Sequence, residues 1–161
     1  MPATRRSIAA APSSDTRVRT LYRLASALRT GYRFVRRPRT FGVKCIVEHD
    51  GRWLMIRNSY GPGHWTLPGG GIRRHENPAD AARREVAEEV GISVPKVDPI
   101  GSYFSTRHYS RDTVYCFRAV IGSPAFEIDG REVLEATWIS PDAIPAQRGN
   151  SVDEVLRMLS T

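Results

Sequence analysis

Short runs of hydrophobic residues recur between residues 41 and 139, separated by glycine, proline and polar residues, a pattern typical of β-strands. Six such runs, rich in β-branched and aromatic residues, are predicted strands: residues 41–49, 53–57, 65–67, 96–103, 113–121 and 136–139. Asp50 and Gly51 separate the first two runs. An Asp-Gly pair in this position predicts a two-residue hairpin turn, because both central residues of that turn favour a positive φ.

Two segments have helical spacing instead, with apolar residues at steps of three and four. The first begins at Asn77, a typical N-cap residue that is followed by Pro78, and ends at Gly91, a residue type that commonly closes helices. The second covers residues 152–159. Because strands outnumber helices, the predicted fold class is α+β, with a mixed β-sheet sandwiched between α-helices.

The first 40 residues are a separate, strongly basic segment. Apolar residues recur at three- and four-residue steps between Leu21 and Val35, which predicts a basic amphipathic helix within residues 15–39. Residues 1–40 contain ten arginines and one acid, a charge of +9, whereas residues 41–161 carry 14 basic and 16 acidic residues, a charge of −2. We therefore predict a basic N-terminal arm over residues 1–40 and one globular domain over residues 41–161.

Composition leaves the role of this arm open between three interpretations. Its apolar stripe can pack on the globular domain or on a second copy in a homodimer, or the helix can make a peripheral contact with an anionic membrane surface. Its arginines can also bind nucleic-acid phosphates. An arginine-rich, acid-poor start is typical of organellar transit peptides as well. No run of about 18 apolar residues is present, so no transmembrane segment is expected, and the expected location is the cytoplasm.

Both cysteines, Cys45 and Cys116, lie inside the apolar runs of predicted strands. Cysteine is among the most buried residue types, and in such a run it packs as a small hydrophobic side chain. We therefore predict two buried thiols that take no part in a disulfide, a metal site or the chemistry of the protein.

The first predicted helix carries three acids on one face. Glu85, Glu88 and Glu89 are spaced i, i+3 and i+4, which places their Cβ atoms within about 6 Å of one another. Three like charges this close destabilise a helix unless a positive charge lies among them. Arg83 and Arg84 can supply that charge on a solvated acidic face, which is the simpler interpretation.

Two further features favour a divalent cation. The helix follows a run of three glycines, residues 69–71, and its opposite face is apolar, with Ala81, Ala82, Val86 and Val90. Mg²⁺ is usually bound through one or two carboxylates, with waters and substrate phosphate oxygens as its other ligands. A cation held in this way can neutralise a diphosphate and activate water for attack at phosphorus. The acidic face is therefore a candidate magnesium site.

Residues 70–92 resemble the Nudix box at every defined position: glycine, five residues, glutamate, seven residues, then Arg-Glu-aliphatic-any-Glu-Glu-any-Gly-aliphatic. The resemblance continues into WTLPGG before the box and ATWIS after it, and so covers residues 41–161. It implies a Nudix fold and a Mg²⁺- or Mn²⁺-dependent hydrolase that cleaves the diphosphate linkage of a nucleoside diphosphate linked to another moiety. A Nudix-fold module that senses a ligand or associates with RNA is the alternative.

The resemblance also implies which residues bind the metal. Glu85 and Glu89 are the expected principal ligands, and Glu88 is a further or water-mediated ligand. The same three glutamates are the box residues that we expect to be catalytic. The backbone carbonyl of Gly70 is expected near the metal as well.

Supporting residues and a general base complete the expected site. Arg84 would orient a carboxylate through a charge-assisted hydrogen bond, and Glu76 would brace the loop against the helix. Relatives draw the general base from different places, including a glutamate outside the box, where Glu132 and Glu135 are the candidates. We favour Glu132 as the catalytic residue, while Glu135 could equally hold a second metal.

Contacts to the nucleotide substrate are expected from two loops. Arg57 and Tyr60 flank the loop before the box, and Arg107 and Tyr109 lie in the polar segment between two later predicted strands. Arginine and tyrosine suit phosphate binding and base stacking. Tyr109 resembles a tyrosine that marks dinucleoside polyphosphate hydrolases, whereas Arg107 stands near the position where many ADP-ribose hydrolases have proline.

Overall fold

The computed structural model describes residues 39–105, 111–128 and 130–160. These residues form six strands, two α-helices and a short 3-10 helix. The predicted arm helix, apart from Arg39, lies outside the described residues, as do Arg107 and Tyr109. In chain order the elements are β1 (Arg39–His49), β2 (Arg52–Asn58), β3 (Trp65–Thr66), α1 (Pro78–Val90), β4 (Asp98–Ser105), β5 (Arg111–Val120), β6 (Val133–Ile139), the 3-10 helix (Pro141–Ala143) and α2 (Asn150–Leu159).

The strands pair into one mixed sheet with β1 at its centre. Their order is β3-β2-β1-β5-β4, and β6 also pairs with β2. β1 runs parallel to β5, from Arg39 opposite Arg111 to Glu48 opposite Val120. The other pairings are antiparallel. The predicted fold class is therefore confirmed.

Hydrophobic cores lie on both faces of this sheet. Successive side chains of a strand point to opposite faces of the sheet, and on one face Val43 and Val47 of β1 pack in a core with Val86 of α1. Ile46 points to the opposite face, where it joins a second core with Val152 of α2. The sheet is thus packed between the two helices. None of the helices in the described part of the chain is long and apolar enough to cross a membrane.

The two cysteines lie in different cores, and both are buried and free. Cys45 packs in the α1 core and Cys116 in the α2 core. Burial raises the pKa of Cys45 to about 12 and the pKa of Cys116 to about 11. Both thiols are therefore small core side chains, as predicted.

The turn between β1 and β2 is the predicted hairpin. Asp50 and Gly51 have positive φ values of 48° and 71°. The start of β1 differs from the prediction: the strand begins at Arg39 rather than at residue 41, because Arg39 and Thr40 already pair with β5. Beyond Glu48 and His49, no further pairing joins β1 to β2 among the described residues. The two strands separate, so the backbone amides of Val43 and Cys45 in β1 bind a partner other than β2.

Residues 67–71, here called the glycine loop, occupy the place that β2 has left. The amides of Cys45 and Val43 donate to the carbonyls of Pro68 and Gly70, at 2.9 Å in each case. Gly69 has a φ of 140°, and a Cβ atom there would lie 2.2 Å from the Val43 carbonyl oxygen. Only glycine permits this close approach to the strand.

Helix α1 follows the glycine loop and is defined by local signals at both ends. The Asn77 side chain accepts a hydrogen bond from the Ala79 amide at 2.9 Å, and Pro78 occupies the first turn. Gly91 closes the helix with a left-handed backbone, at a φ of 66°. Both predicted ends are therefore confirmed.

One predicted strand is displaced. The run at residues 96–103 was expected to pair throughout, but β4 begins only at Asp98, opposite Arg118 of β5. Val94 and Val97 are buried in the α1 core ahead of the strand. Val97, near the start of the predicted run, therefore packs in the α1 core instead of pairing with β5, which is why the pattern alone misplaced the boundary.

Candidate active site

The glycine loop, helix α1 and the segment before β6 surround a cavity of about 480 Å³. Four separate parts of the sequence contribute to its wall. The lining residues are Tyr60, Gly69, Gly70, Gly71, Arg73, Arg84, Glu85, Glu88, Glu89 and Glu132. The structure therefore brings the three box glutamates together with Gly70, Arg84, Tyr60 and Glu132.

Glu89 is the most buried of the three box acids, with 4% of its surface exposed. Its carboxylate accepts a hydrogen bond from the Gly69 amide at 2.7 Å. Burial raises the pKa of Glu89 to about 7, while the Lys44 ammonium and the Gly69 amide act in the opposite direction. A positive charge close to this carboxylate therefore favours its ionised form.

Glu85 lies directly against the backbone of the glycine loop. Its side chain is 12% exposed, and Oε1 accepts a hydrogen bond from the Arg84 guanidinium at 2.7 Å. A Cβ atom at Gly70 would lie only 2.6 Å from Oε2 of Glu85. The missing side chain at position 70 is what allows the carboxylate to reach the loop.

Glu88 occupies the solvent side of the cavity, where its side chain is 51% exposed. Its two oxygens accept from Arg73 at 3.0 Å and from Arg84 at 3.1 Å. The three acids therefore share one helix face but differ widely in solvation. Helical spacing alone does not show this difference.

One guanidinium joins the loop and the helix that form this wall. Arg84 donates to both oxygens of Glu76, at 2.7 and 2.9 Å, and also to Glu85, Glu88 and the Gly71 carbonyl. The hydrogen bond to Glu76 raises the pKa of Arg84 above its already high ordinary value. The same bond lowers the pKa of Glu76 to about 2. Both groups are therefore charged at neutral pH.

Arg57, a predicted substrate contact, is engaged outside the cavity. Its Nε donates to the Gly63 carbonyl at 3.0 Å, and Nη1 donates to Glu135 at 3.1 Å. Neither Arg57 nor Glu135 lines the cavity, whereas Tyr60 and Glu132 do. Of the two general-base candidates, geometry therefore favours Glu132.

Two basic residues near the cavity are absent from the sequence-based prediction. Arg73 lines the wall and pairs with Glu88. Lys44 extends from β1 to the glycine loop, where its Nζ donates to the carbonyls of Leu67 and Gly69. The sequence did offer a signal for Lys44, which is a lone charged residue within the apolar run of β1.

The acids offer oxygen donors of the kind that hard divalent cations prefer. Within residues 39–105, 111–128 and 130–160, no three His, Cys, Asp or Glu side chains stand close enough to surround an ion. The box carboxylates are held instead by Arg84, Arg73 and the Gly69 amide. The donor chemistry fits Mg²⁺ or Mn²⁺, because Arg84 binds Oε1 of Glu85 and the Gly69 amide binds Oε2 of Glu89, so the second oxygen of each carboxylate can bind an ion.

A family model described as the NUDIX domain matches residues 36–159 of this chain. The match contains the whole cavity wall and the box at residues 70–92. The chain therefore belongs to the Nudix family, as the resemblance predicted.

Similar proteins agree with this assignment. A MutT-like protein of Streptomyces ambofaciens is 34% identical over 99 residues, which are 62% of this chain and 62% of that protein. A putative 8-oxo-dGTP diphosphatase of Bacillus subtilis is 28% identical over 106 residues, 66% of this chain and 70% of that protein. The crystal structure of a MutT NUDIX hydrolase from Burkholderia pseudomallei has a TM-score of 0.69 at 21% identity, covering 75% of this chain and 98% of that one. The last comparison confirms the fold.

The bond between Glu76 and Arg84 leads to a prediction about stability. Glu76→Gln is expected to lower the free energy of unfolding by about 1.5–3 kcal/mol at neutral pH, the range for hydrogen bonds to charged groups. Because the pKa of Glu76 is lowered in the folded protein, its contribution is present above the ordinary value of 4.5 and is lost as the pH falls toward about 2. Urea unfolding at neutral pH and in this acidic window measures both effects.

Glu127→Gln is the control for that measurement, because Glu127 is exposed and does not line the cavity. We expect it to change the unfolding free energy little at either pH. An equal effect of the two substitutions, or a Glu76→Gln effect that does not shrink in acid, would contradict the role of the ion pair.

The contact between Gly70 and Glu85 leads to a second prediction. In Gly70→Ala the added Cβ must displace the Glu85 carboxylate, and we expect the affinity for Mn²⁺ to fall by about tenfold or more. Gly122→Ala is the matched control, since a Cβ there meets no heavy atom within 4 Å. Calorimetric titration with Mn²⁺ measures both variants. Unchanged affinity in Gly70→Ala would show that Glu85 does not need its place against the loop.

Proposed function

We propose that this protein is a metal-dependent hydrolase that cleaves the diphosphate linkage of a nucleoside diphosphate linked to another moiety. The observation that carries the proposal is one cavity that gathers Glu85, Glu88, Glu89 and Glu132 beside the glycine loop. A domain that only binds an anionic nucleotide has no need of four carboxylates, because they repel such a ligand. The similarity to a putative 8-oxo-dGTP diphosphatase supports the same class of reaction.

Mg²⁺ or Mn²⁺ is the proposed cofactor, with Glu85 and Glu89 as its principal ligands. The Gly70 carbonyl and Glu88 are the proposed additional contacts, the latter directly or through water. When bound, the cation supplies positive charge to the phosphate oxygens and lowers the pKa of water. Arg84 holds Glu85 and Glu88 in place by hydrogen bonds of 2.7 and 3.1 Å.

Glu132 is the proposed general base. It lines the same cavity as Glu89, and its negative charge contributes to the raised pKa of Glu89, after the larger effect of burial. In this role a carboxylate oxygen of Glu132 accepts a proton from the attacking water as the water oxygen bonds to one phosphorus of the diphosphate. The bond from that phosphorus to the bridging oxygen breaks, and the other phosphate leaves with the bridging oxygen. The Ser59 amide donates to the Glu132 carbonyl at 2.8 Å, which ties the base to the loop that carries Tyr60.

The nucleotide is proposed to bind between Tyr60 and Arg73 at the cavity wall. Tyr60 is 37% exposed and offers an aromatic face for stacking on a base. The Arg73 guanidinium suits a phosphate group. Arg57 would contribute indirectly, through its bond to Gly63 in the loop that carries Tyr60.

The role of the basic arm over residues 1–40 stays a prediction. Its possible contacts with a dimer mate, a membrane surface or nucleic acid involve residues outside those described. The same holds for substrate contacts through Arg107 and Tyr109.

A substrate panel tests the proposed function. It contains nucleoside triphosphates, 8-oxo-dGTP, dinucleoside polyphosphates and ADP-ribose, and release of phosphate or nucleotide is followed with Mg²⁺, with Mn²⁺ and with EDTA. We expect cation-dependent turnover of at least one class. Glu89→Gln is expected to abolish that turnover, because it removes a proposed metal ligand, while thermal unfolding stays cooperative.

Absence of turnover for every compound, with wild-type protein that binds Mn²⁺, would speak against an enzyme. That outcome would favour the ligand-sensing or RNA-associated module. Nucleic-acid binding that falls with salt and is lost on deletion of residues 1–40 would then support the RNA-associated form.

The assignment of the general base leads to a separate prediction. Glu132→Gln is expected to lower kcat by about 10²- to 10⁴-fold, the usual contribution of general base catalysis. Glu135→Gln is the matched control, since Glu135 pairs with Arg57 outside the cavity. Steady-state kinetics on the best substrate of the panel measures both. A larger loss for Glu135→Gln than for Glu132→Gln would reverse the assignment.

A further inference from the structure

A lysine within the sheet has no part in the proposed reaction. Lys44 stands in β1 between Val43 and Cys45, which are both fully buried, and its own side chain is partly buried. Removing an ammonium group from water is unfavourable unless other hydrogen bonds replace those to water. The Nζ atom has such replacements, because it donates to the Leu67 carbonyl at 2.7 Å and to the Gly69 carbonyl at 3.1 Å.

These two carbonyls differ from the two that the β1 backbone binds. The β1 amides bond to the carbonyls of Pro68 and Gly70. The carbonyls of Leu67 and Gly69, which alternate with these along the loop, accept from the Lys44 side chain instead. Lys44 binds both of them. The backbone of β1 and the side chain of Lys44 therefore both bind carbonyls of the glycine loop.

The part of the loop held in this way is the part that meets the acids. The Gly69 amide donates to Glu89 at 2.7 Å, and the Glu85 carboxylate lies against Gly70. Charge connects the same groups, since burial lowers the pKa of Lys44 while Glu89 and Glu85 act to raise it. Lys44 is thus linked by geometry and by charge to both proposed principal ligands.

We propose that Lys44 is a positioning residue of the metal site, which holds the glycine loop where Gly69 orients Glu89 and Gly70 lies against Glu85. The proposal rests on the proposed function only in taking Glu85 and Glu89 as metal ligands. Lys44 does not line the cavity, so it acts through the loop and not on the substrate. Loss of such an outer partner weakens metal binding by about 10- to 100-fold.

Metal binding without substrate tests this role separately from catalysis. The Mn²⁺ affinity of the full chain is compared by calorimetry with those of Lys44→Met, Lys44→Arg and Lys96→Met. Lys44→Met keeps the length of the side chain but loses its donors, and we expect about tenfold weaker binding or more. Lys44→Arg keeps the charge and donors and should bind closer to wild type. Lys96 is an exposed lysine that pairs with Asp98, and its variant should bind as wild type does.

Thermal unfolding in EDTA shows whether each variant is folded. If Lys44→Met does not fold, Lys44→Gln replaces it, because this variant loses the ammonium charge and carries a shorter side chain with an amide NH2 donor group. Mn²⁺ affinity in the Met or Gln variant that equals or exceeds the wild-type affinity would overturn the proposal. The same loss in Lys96→Met would also overturn it.

These outcomes are independent of turnover. An inactive wild-type chain that binds Mn²⁺ contradicts the proposed function and leaves the role of Lys44 to be decided by the affinities. An active wild-type chain with unchanged Mn²⁺ affinity in Lys44→Met contradicts the role of Lys44 alone. A wild-type chain that binds no Mn²⁺ contradicts both.

Discussion

Negative charge in a confined space is the constraint on which the rest of this structure depends. Four carboxylates line one cavity, and Glu85 and Glu89 are largely withdrawn from water. The Arg84 guanidinium balances part of this charge by contacting Glu76, Glu85 and Glu88 together. Glu76 precedes helix α1 and Arg84 lies within it. The contacts that balance the charge therefore also join the segment before the helix to the helix itself. The charge distribution and the shape of the cavity therefore cannot be changed independently.

The separation of β1 from β2 gives the site its place in the fold. Where β2 leaves, the glycine loop bonds to the free amides of β1 and lies between this strand and helix α1. Gly69 allows the backbone to approach the strand, and Gly70 allows the helix acids to approach the backbone. A continuous hairpin would fill this space with strand side chains. The acids of α1 would then have no backbone partner.

Local signals in the sequence predicted much of this arrangement, and contacts between distant residues explain what was missed. Asn77 and Gly91 define helix α1 through their own conformational preferences, so the helix and the order of its acids could be predicted. The burial of Glu89 and the contacts of Lys44 depend on the glycine loop folding back on β1, which no short window of sequence shows. The hydrogen bond between Arg57 and Glu135 joins residues 78 positions apart, so the position of Arg57 beside a loop does not reveal it. Residue type and spacing therefore indicated the chemistry, whereas the solvation of each group required the tertiary structure.

The parallel pairing of β1 with β5 has a consequence for how the protein folds. The paired residues are 72 positions apart in the chain, and β2, β3, α1 and β4 all lie between them. Pairing over such a distance is slow, because chain entropy is lost before the new contacts repay it. We therefore expect the pairing of β1 with β5, and the cavity that depends on it, to form late in folding. Interactions that form only after the transition state slow unfolding without speeding folding, so we expect a ligand of this cavity to lengthen the lifetime of the native state.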